Sequence, residues 1–307
     1  MKETFGQKTR RSHKRNQRVV MFWCAFVFAF VIAGVWLFRG TLFQNDSGAS
    51  SSGTNQSRHD ACGTANSRQK STDVTQAPMD HEVCQKLQDL VSQDQRVQQV
   101  IDNCEIYPED ILKMLSRNLD MLNFVLEYPE KVGQVFAETV GEVEGGEVPL
   151  LLQYDQRWGY GDYGNSSVAV SGCGPACLSM VITSLTGDDT ITPYVVAQYA
   201  SEQGYYVPGA GTAWTLMSEG AKHFGVIGEE LPLTKSIMEG VLKEGRPIIC
   251  SMRPGDFTTT GHFIVITGIK DGQFTVNDPN STERSNMLWD YDTLKPQISN
   301  LWAFQAL

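Results

Sequence analysis

Apolar and polar positions divide the chain into stretches of different texture. Val19 to Phe38 is twenty consecutive residues without a charge, rich in Val, Phe, Ala and Trp. As a helix rising about 1.5 Å per residue, such a run spans about 30 Å, the thickness of a hydrocarbon core. Residues 39–79 reverse the pattern, with Ser, Thr, Asn, Gln and Gly and hardly an aliphatic side chain. That composition cannot bury enough apolar surface to offset its ordering entropy, and it predicts a flexible linker. Helical periodicity begins near Asp80. Leu87, Leu90, Val91, Val97, Val100 and Ile101 recur at three- and four-residue offsets and share one helix face. Pro108, Glu109 and Asp110 suit the first turn of a second helix carrying Ile111, Leu112, Met114, Leu115 and Leu119. A third short helix, Met121 to Leu126, is predicted to end before Tyr128-Pro129. This gives a small helical module over 80–140.

Gly141, Gly145 and Gly146 mark a boundary, and a second region runs over 147–307. Val148 to Gln153 reads as a strand. Gly172, Gly174 and Pro175 read as a helix entry, and the helix continues through Ser184 to Gly187. Thr192-Pro193 starts another helix, and Thr234 to Glu244 reads as a third. Strands are expected at Ile248–Met252, from His262 to Gly268, at Gln273–Asn277 and over Leu301–Leu307. Asp271-Gly272 is a strong hairpin turn signal between the middle two.

Charge adds topology. The first eighteen residues carry seven basic side chains and one acid, while the whole chain has a formal charge of −10. A basic flank before an apolar span stays in the cytoplasm. The span is therefore expected to be an uncleaved signal anchor with residues 1–18 cytoplasmic and the C-terminal mass outside. A cleaved signal peptide is the competing reading, but the run is longer than an h-region and is followed by Arg39, not a small-residue site. The acidic balance argues against a nucleic-acid partner. Seven cysteines without a CxxC pair fit neither a disulfide scaffold nor a zinc ribbon. Cys84 and Cys104 flank the first helix, either bridged across a bend or left as two free thiols.

The candidate chemistry lies in 147–307. Cys173 falls at a helix N-terminus, where backbone N–H groups and the helix dipole favour a thiolate. Cys177, one turn on, falls beside Met180 and Val181 and reads as a small buried residue. A nucleophilic cysteine needs a base. His223 sits between Lys222 and Phe224 in a helical stretch and reads as a surface histidine. His262 opens a strand, and Asp278 ends its hairpin partner at nearly the same distance from the turn. The two can thus be cross-strand or diagonal neighbours within side-chain reach. An acid there would hold the imidazole tautomer and support the imidazolium. No spacing suggests a metal site, and no cofactor is implied.

The combination of Gln153, Gly172-Cys173-Gly174-Pro175, Gly261-His262-Phe263 and Val276-Asn277-Asp278-Pro279 resembles the C39-like cysteine peptidases. The resemblance implies an α+β chain ending in a papain-like domain, a catalytic helix packed on an antiparallel sheet. A transmembrane helix (19–38), a linker (39–79) and a helical segment would precede it. It also implies that Cys173 is the nucleophile, His262 the base and acid, Asp278 the orienting group and Gln153 the oxyanion donor. Asn277 is an alternative orienting residue and Gln156 an alternative oxyanion donor. The chain departs from bacteriocin-processing members in having Gly172 where they carry an acid, and in placing Gln153 twenty residues before Cys173. The expected activity is that of a membrane-anchored, extracytoplasmic peptidase acting on a peptide or protein, with 80–140 open to a protein partner. A cell-wall amidase or endopeptidase, an acyl transferase and a non-catalytic papain-like binding module use the same framework.

Overall fold

The computed structural model describes residues 80–307. The apolar span at 19–38 and the linker at 39–79 lie outside the described residues. Among the described residues no helix is long and apolar enough to cross a membrane.

The helical segment contains four helices: α1 His81–Leu90, α2 Val97–Asp102, α3 Glu109–Leu115 and α4 Leu122–Lys131. The predicted first helix is two helices, because turns follow Leu90 (Gln93 N to Leu90 O, 2.9 Å) before Val97 resumes the same apolar face. The last helix does not stop before Tyr128-Pro129 but continues to Lys131, with Pro129 inside its final turn. Cys84 is disulfide-bonded while Cys104 is a free thiol, so the two are not bridged to each other.

These helices do not form a core of their own. Leu87, Val100, Ile111, Leu115, Phe124 and Val125 pack in one cluster with Tyr154, Tyr160 and Ala169 from the following region. Phe124 stacks on Tyr160 with ring centroids 4.3 Å apart. Tyr160 also donates its hydroxyl to the Phe124 carbonyl at 3.2 Å. Helical segment and C-terminal region therefore share a hydrophobic interior. Phe124→Ala is expected to lower the unfolding free energy of the whole unit by about 3–5 kcal/mol, read as one shifted cooperative transition. Two separate transitions, with only one displaced, would show independent domains instead.

The C-terminal region is built on a six-stranded antiparallel sheet: β1 Val226–Glu230, β2 Ile248–Met252, β3 His262–Lys270, β4 Gln273–Asn277, β5 Leu288–Trp289 and β6 Ile298–Ala306. Their order across the sheet is β1-β6-β2-β3-β4-β5. β6 begins at Ile298, three residues before the position expected from its apolar run. Strand alternation gives the sheet two buried faces. Ile249, Phe263, Val265, Trp302 and Phe304 face one core cluster, and Ile248, Cys250, Ile264 and Ile266 face another with Met238 and Leu242. Met238 and Leu242 come from the helix Lys235–Lys243.

The first face is covered by α5 Val168–Ser171, α6 Cys173–Thr186 and α7 Pro193–Glu202. Helix α6 is buried all round from Gly174 to Thr183, as its nearly uniform apolar sequence requires. It ends at Gly187 in the left-handed conformation (φ 73°), the usual helix stop. The Asp271-Gly272 turn has positive φ at both residues (53° and 78°), as a two-residue hairpin demands.

Val148–Gln153 is not a strand. It runs past the end of the β3–β4 hairpin and is held at single points. Val148 accepts a hydrogen bond from Asn277 Nδ2 (2.9 Å), and Gln153 N donates to Pro279 O (2.8 Å). Leu151 is buried, Val148 and Leu152 are partly so and Leu150 is exposed, all without ladder pairing. His223 lies in a 3-10 turn, Gly220–Phe224, exposed and stacked on Tyr199.

Candidate active site

Four elements converge on one cavity of about 610 Å³, lined among others by Gln153, Val170, Cys173 and His262. That volume is within the usual range for a small-ligand or peptide cleft. Cys173 is the first residue of α6 and is partly exposed. Its backbone N–H belongs to the first turn, where no intrahelical acceptor exists. Cys177 and Cys250 are fully buried, and burial pushes both thiols up.

The sharp approach to Cys173 depends on Gly172. A Cβ there would lie 2.4 Å from the Val168 carbonyl oxygen, which already accepts the Gly172 N–H at 2.8 Å. The α5–α6 junction thus leaves no space for any side chain before the cysteine, an acidic one included. Gly172→Ala should cost about 1–3 kcal/mol of stability, and differential scanning calorimetry should register it as a lower melting temperature.

His262, 8 % exposed, opens β3. Pairing of Val265 with Asn277, and a bulge at Thr267, bring Asp278 diagonally beside it. Nε2 of His262 is 2.7 Å from Oδ1 of Asp278, which is wholly buried. Burial alone would lower the imidazole's pKa. The charge and hydrogen bond of Asp278, joined by Cys173, outweigh it and push the value up to about 10. Burial would likewise raise Asp278, but His262 and Arg284 outweigh that and hold its carboxyl below the usual value.

Arg284 was not singled out from the sequence. Its Nε donates to Asp278 Oδ2 at 2.5 Å, while the Asn280 N–H donates to Oδ1 at 2.8 Å. The Asp278 N–H donates to Ser285 Oγ at 2.9 Å. The aspartate is thereby fixed on every polar edge. Removing the guanidinium leaves half of a buried carboxylate unpaired. Arg284→Met is expected to cost about 1.5–3 kcal/mol. It should also raise the imidazolium's pKa, because the Asp278 charge is no longer shared. A thermal melt reads the first effect and the basic limb of a pH profile the second.

Gln153 is 3 % exposed. Its Nε2 donates to the Ala169 carbonyl at 2.5 Å, while Oε1 has no hydrogen-bond partner among the described residues. The amide nitrogen retains a second hydrogen. Gln156 points elsewhere, donating to Glu127 Oε2 at 2.5 Å and to Asn123 O at 3.3 Å on the helical segment. Asn277 is committed to Val148 O and not to the imidazole. Trp158 is fully buried, with its Nε1 donating to Leu152 O at 2.8 Å, so it packs under the loop. Among the described residues no cluster of His, Cys, Asp and Glu is arranged to hold a metal ion.

Cys173 thus stands at a helix start beside a buried His–Asp pair, on a helix packed against an antiparallel sheet of an α+β fold. Residues 146–305 match the family described as Peptidase_C39 like family, and the chain belongs to that family. Membership supports cysteine-peptidase function at the level of the family. No curated protein sequence matches the chain. Among solved structures, the peptidase domain of Streptococcus ComA, a bi-functional ABC transporter involved in a quorum-sensing pathway, is similar at 17% identity and a TM-score of 0.35. The alignment covers 44% of this chain and 89% of that one. A C39-like peptidase from Bacillus anthracis is similar at 12% identity and a TM-score of 0.31, over 52% of this chain and 94% of that one.

Proposed function

We propose that the chain is a membrane-anchored, extracytoplasmic cysteine peptidase in which Cys173, His262 and Asp278 form the catalytic triad. The observation that carries this reading is the buried His262–Asp278 pair, 2.7 Å apart, whose histidine lines one cavity together with Cys173. The anchor and orientation rest on the uncharged run Val19–Phe38 behind a basic N-terminus.

With its pKa near 10, His262 is protonated at neutral pH and carries the proton that the cysteine gives up. The thiolate attacks the scissile carbonyl and forms the C–S bond. The oxyanion is met by the Cys173 N–H and by the second hydrogen of Gln153 Nε2. His262 then protonates the leaving amine as the C–N bond breaks. The neutral imidazole next takes a proton from water, whose oxygen displaces the thiolate and releases the acid. Asp278 stays ionised throughout and keeps Nε2 protonated, so that Nδ1 faces the chemistry.

The test is cleavage of a mixed peptide library by the full chain in detergent micelles, with new termini identified by mass spectrometry. Cleavage that stops on prior alkylation supports the reading. Alkylation-insensitive cleavage, or none, sinks it.

A further inference from the structure

We propose that the helical segment preceding the family domain builds an apolar subsite of the cleft, which takes an aliphatic side chain of an extended peptide. The inference rests on the peptidase reading above and names its substrate class. The cavity that holds Cys173 and His262 is also lined by Leu90, Met114, Leu119 and Val170. These four are among the partly buried hydrophobic residues packed against the helical core. They are thus apolar groups with a solid backing and one face toward the cavity. Val170 lies three residues before Cys173, on α5, so the patch adjoins the thiol. Leu90, Met114 and Leu119 lie outside the family-matched residues 146–305.

The facing lining is different in kind. Thr258, Thr259 and Thr260 supply hydroxyls from one loop, and Ser281 and Thr282 from another. Several charged groups in the lining are already engaged, while Glu283 is exposed. Asp256 Oδ2 accepts from Gln297 Nε2 at 2.7 Å, Arg284 is bound to Asp278, and Asp120 accepts the Thr282 hydroxyl. An extended peptide directs alternate side chains to opposite sides. An aliphatic patch set in an otherwise polar lining therefore fits a strand carrying a Leu, Ile, Met or Val flanked by small polar residues. The helical wall is tied to the opposite one. Asn118 Nδ2 donates to Asn280 O at 2.8 Å, and Arg117 Nη1 to Thr259 Oγ1 at 3.4 Å. Those ties, with the shared core, make the subsite preformed.

The experiment uses the full chain in detergent as its Cys173→Ala form, so that binding is read without turnover, on an array of ten-residue peptides varied at each position. Enrichment of aliphatic residues at one position is expected. Met114→Gln and Leu119→Gln, each added to that background, should weaken binding of the selected peptides about tenfold and flatten the enrichment. Met114→Leu should retain it, and thermal melts establish that each variant is folded. Absence of peptide binding, enrichment of charged residues alone, or an aliphatic preference that both folded glutamine variants leave intact would overturn the proposal. The unmodified chain is assayed for cleavage of the same peptides. Aliphatic-selective binding that the glutamine variants abolish, without any cleavage, would uphold the subsite and refute the peptidase reading.

Discussion

Cys173→Ala is expected to lower the turnover of a cleaved peptide by about 10⁴-fold or more, with little change in melting temperature. The sulfur starts a helix at the edge of a cavity and is partly exposed, so its removal opens no deep void. The two neighbouring thiols cannot stand in for it. Cys177, one turn along the same helix, and Cys250 in β2 have no exposed surface. Cys173→Ser should be nearly as inactive, since a hydroxyl holds its proton far more tightly than a thiol does. Initial rates on the best library peptide decide the matter. A Cys173→Ala protein retaining more than a tenth of the activity would remove the residue from the chemistry.

The second large effect is expected at Asp278→Asn. Both carboxylate oxygens of Asp278 accept: Oδ1 faces His262 Nε2 and the Asn280 N–H, and Oδ2 faces Arg284 Nε. An asparagine has one oxygen for these two edges. If its NH₂ faces Arg284, two donors meet in a buried site. If it faces His262, Nε2 must lose its hydrogen and the imidazole takes the wrong tautomer. Either orientation should cost about 10³-fold or more in kcat/KM.

The pH profile gives an independent readout. The native rate should fall as pH rises through about 10, where the imidazolium loses its proton. In Asp278→Asn the leading cause of that raised value is gone and burial prevails, so the basic limb moves to lower pH. Stability follows the same sign. His262 is raised from 6.5, so its contribution is complete below that value and is lost as pH rises through about 10. Asp278 is lowered from 3.8, so its contribution is complete above that value and is lost on acidification through its folded value.

Local rules made much of this site legible in the sequence. Gly172, Pro175 and Gly187 bracket α6, and Asp271-Gly272 sets the hairpin that juxtaposes His262 and Asp278. Those signals work because helix caps and two-residue turns depend on a few neighbouring residues. Arg284 gave no such signal. It sits six residues beyond Asp278 in a polar stretch, and only the fold of the Asp278–Ser285 loop turns its guanidinium back onto the carboxylate. The apolar run Val148–Gln153 satisfied the strand pattern, yet it is held to the hairpin end at single points and not by a ladder. The helices of 81–131 were readable as helices. Their place in the wall of the cleft was not, because it arises from Phe124, Tyr160 and Ala169 sharing a core across more than thirty residues of sequence. The break after Leu90 was hidden by an apolar periodicity that continues in phase on both sides of it.

The most direct test of the central claim is alkylation of the full chain by an iodoacetamide probe between pH 4 and 9, with each cysteine followed by peptide mapping. The account predicts fast labelling of Cys173 already at neutral pH and slow labelling of Cys177 and Cys250. In Asp278→Asn the preference for Cys173 should shrink, because the imidazolium beside it is no longer sustained. Labelling of Cys173 no faster than that of the buried thiols, or unaffected by Asp278→Asn, would contradict a thiolate–imidazolium pair at this site.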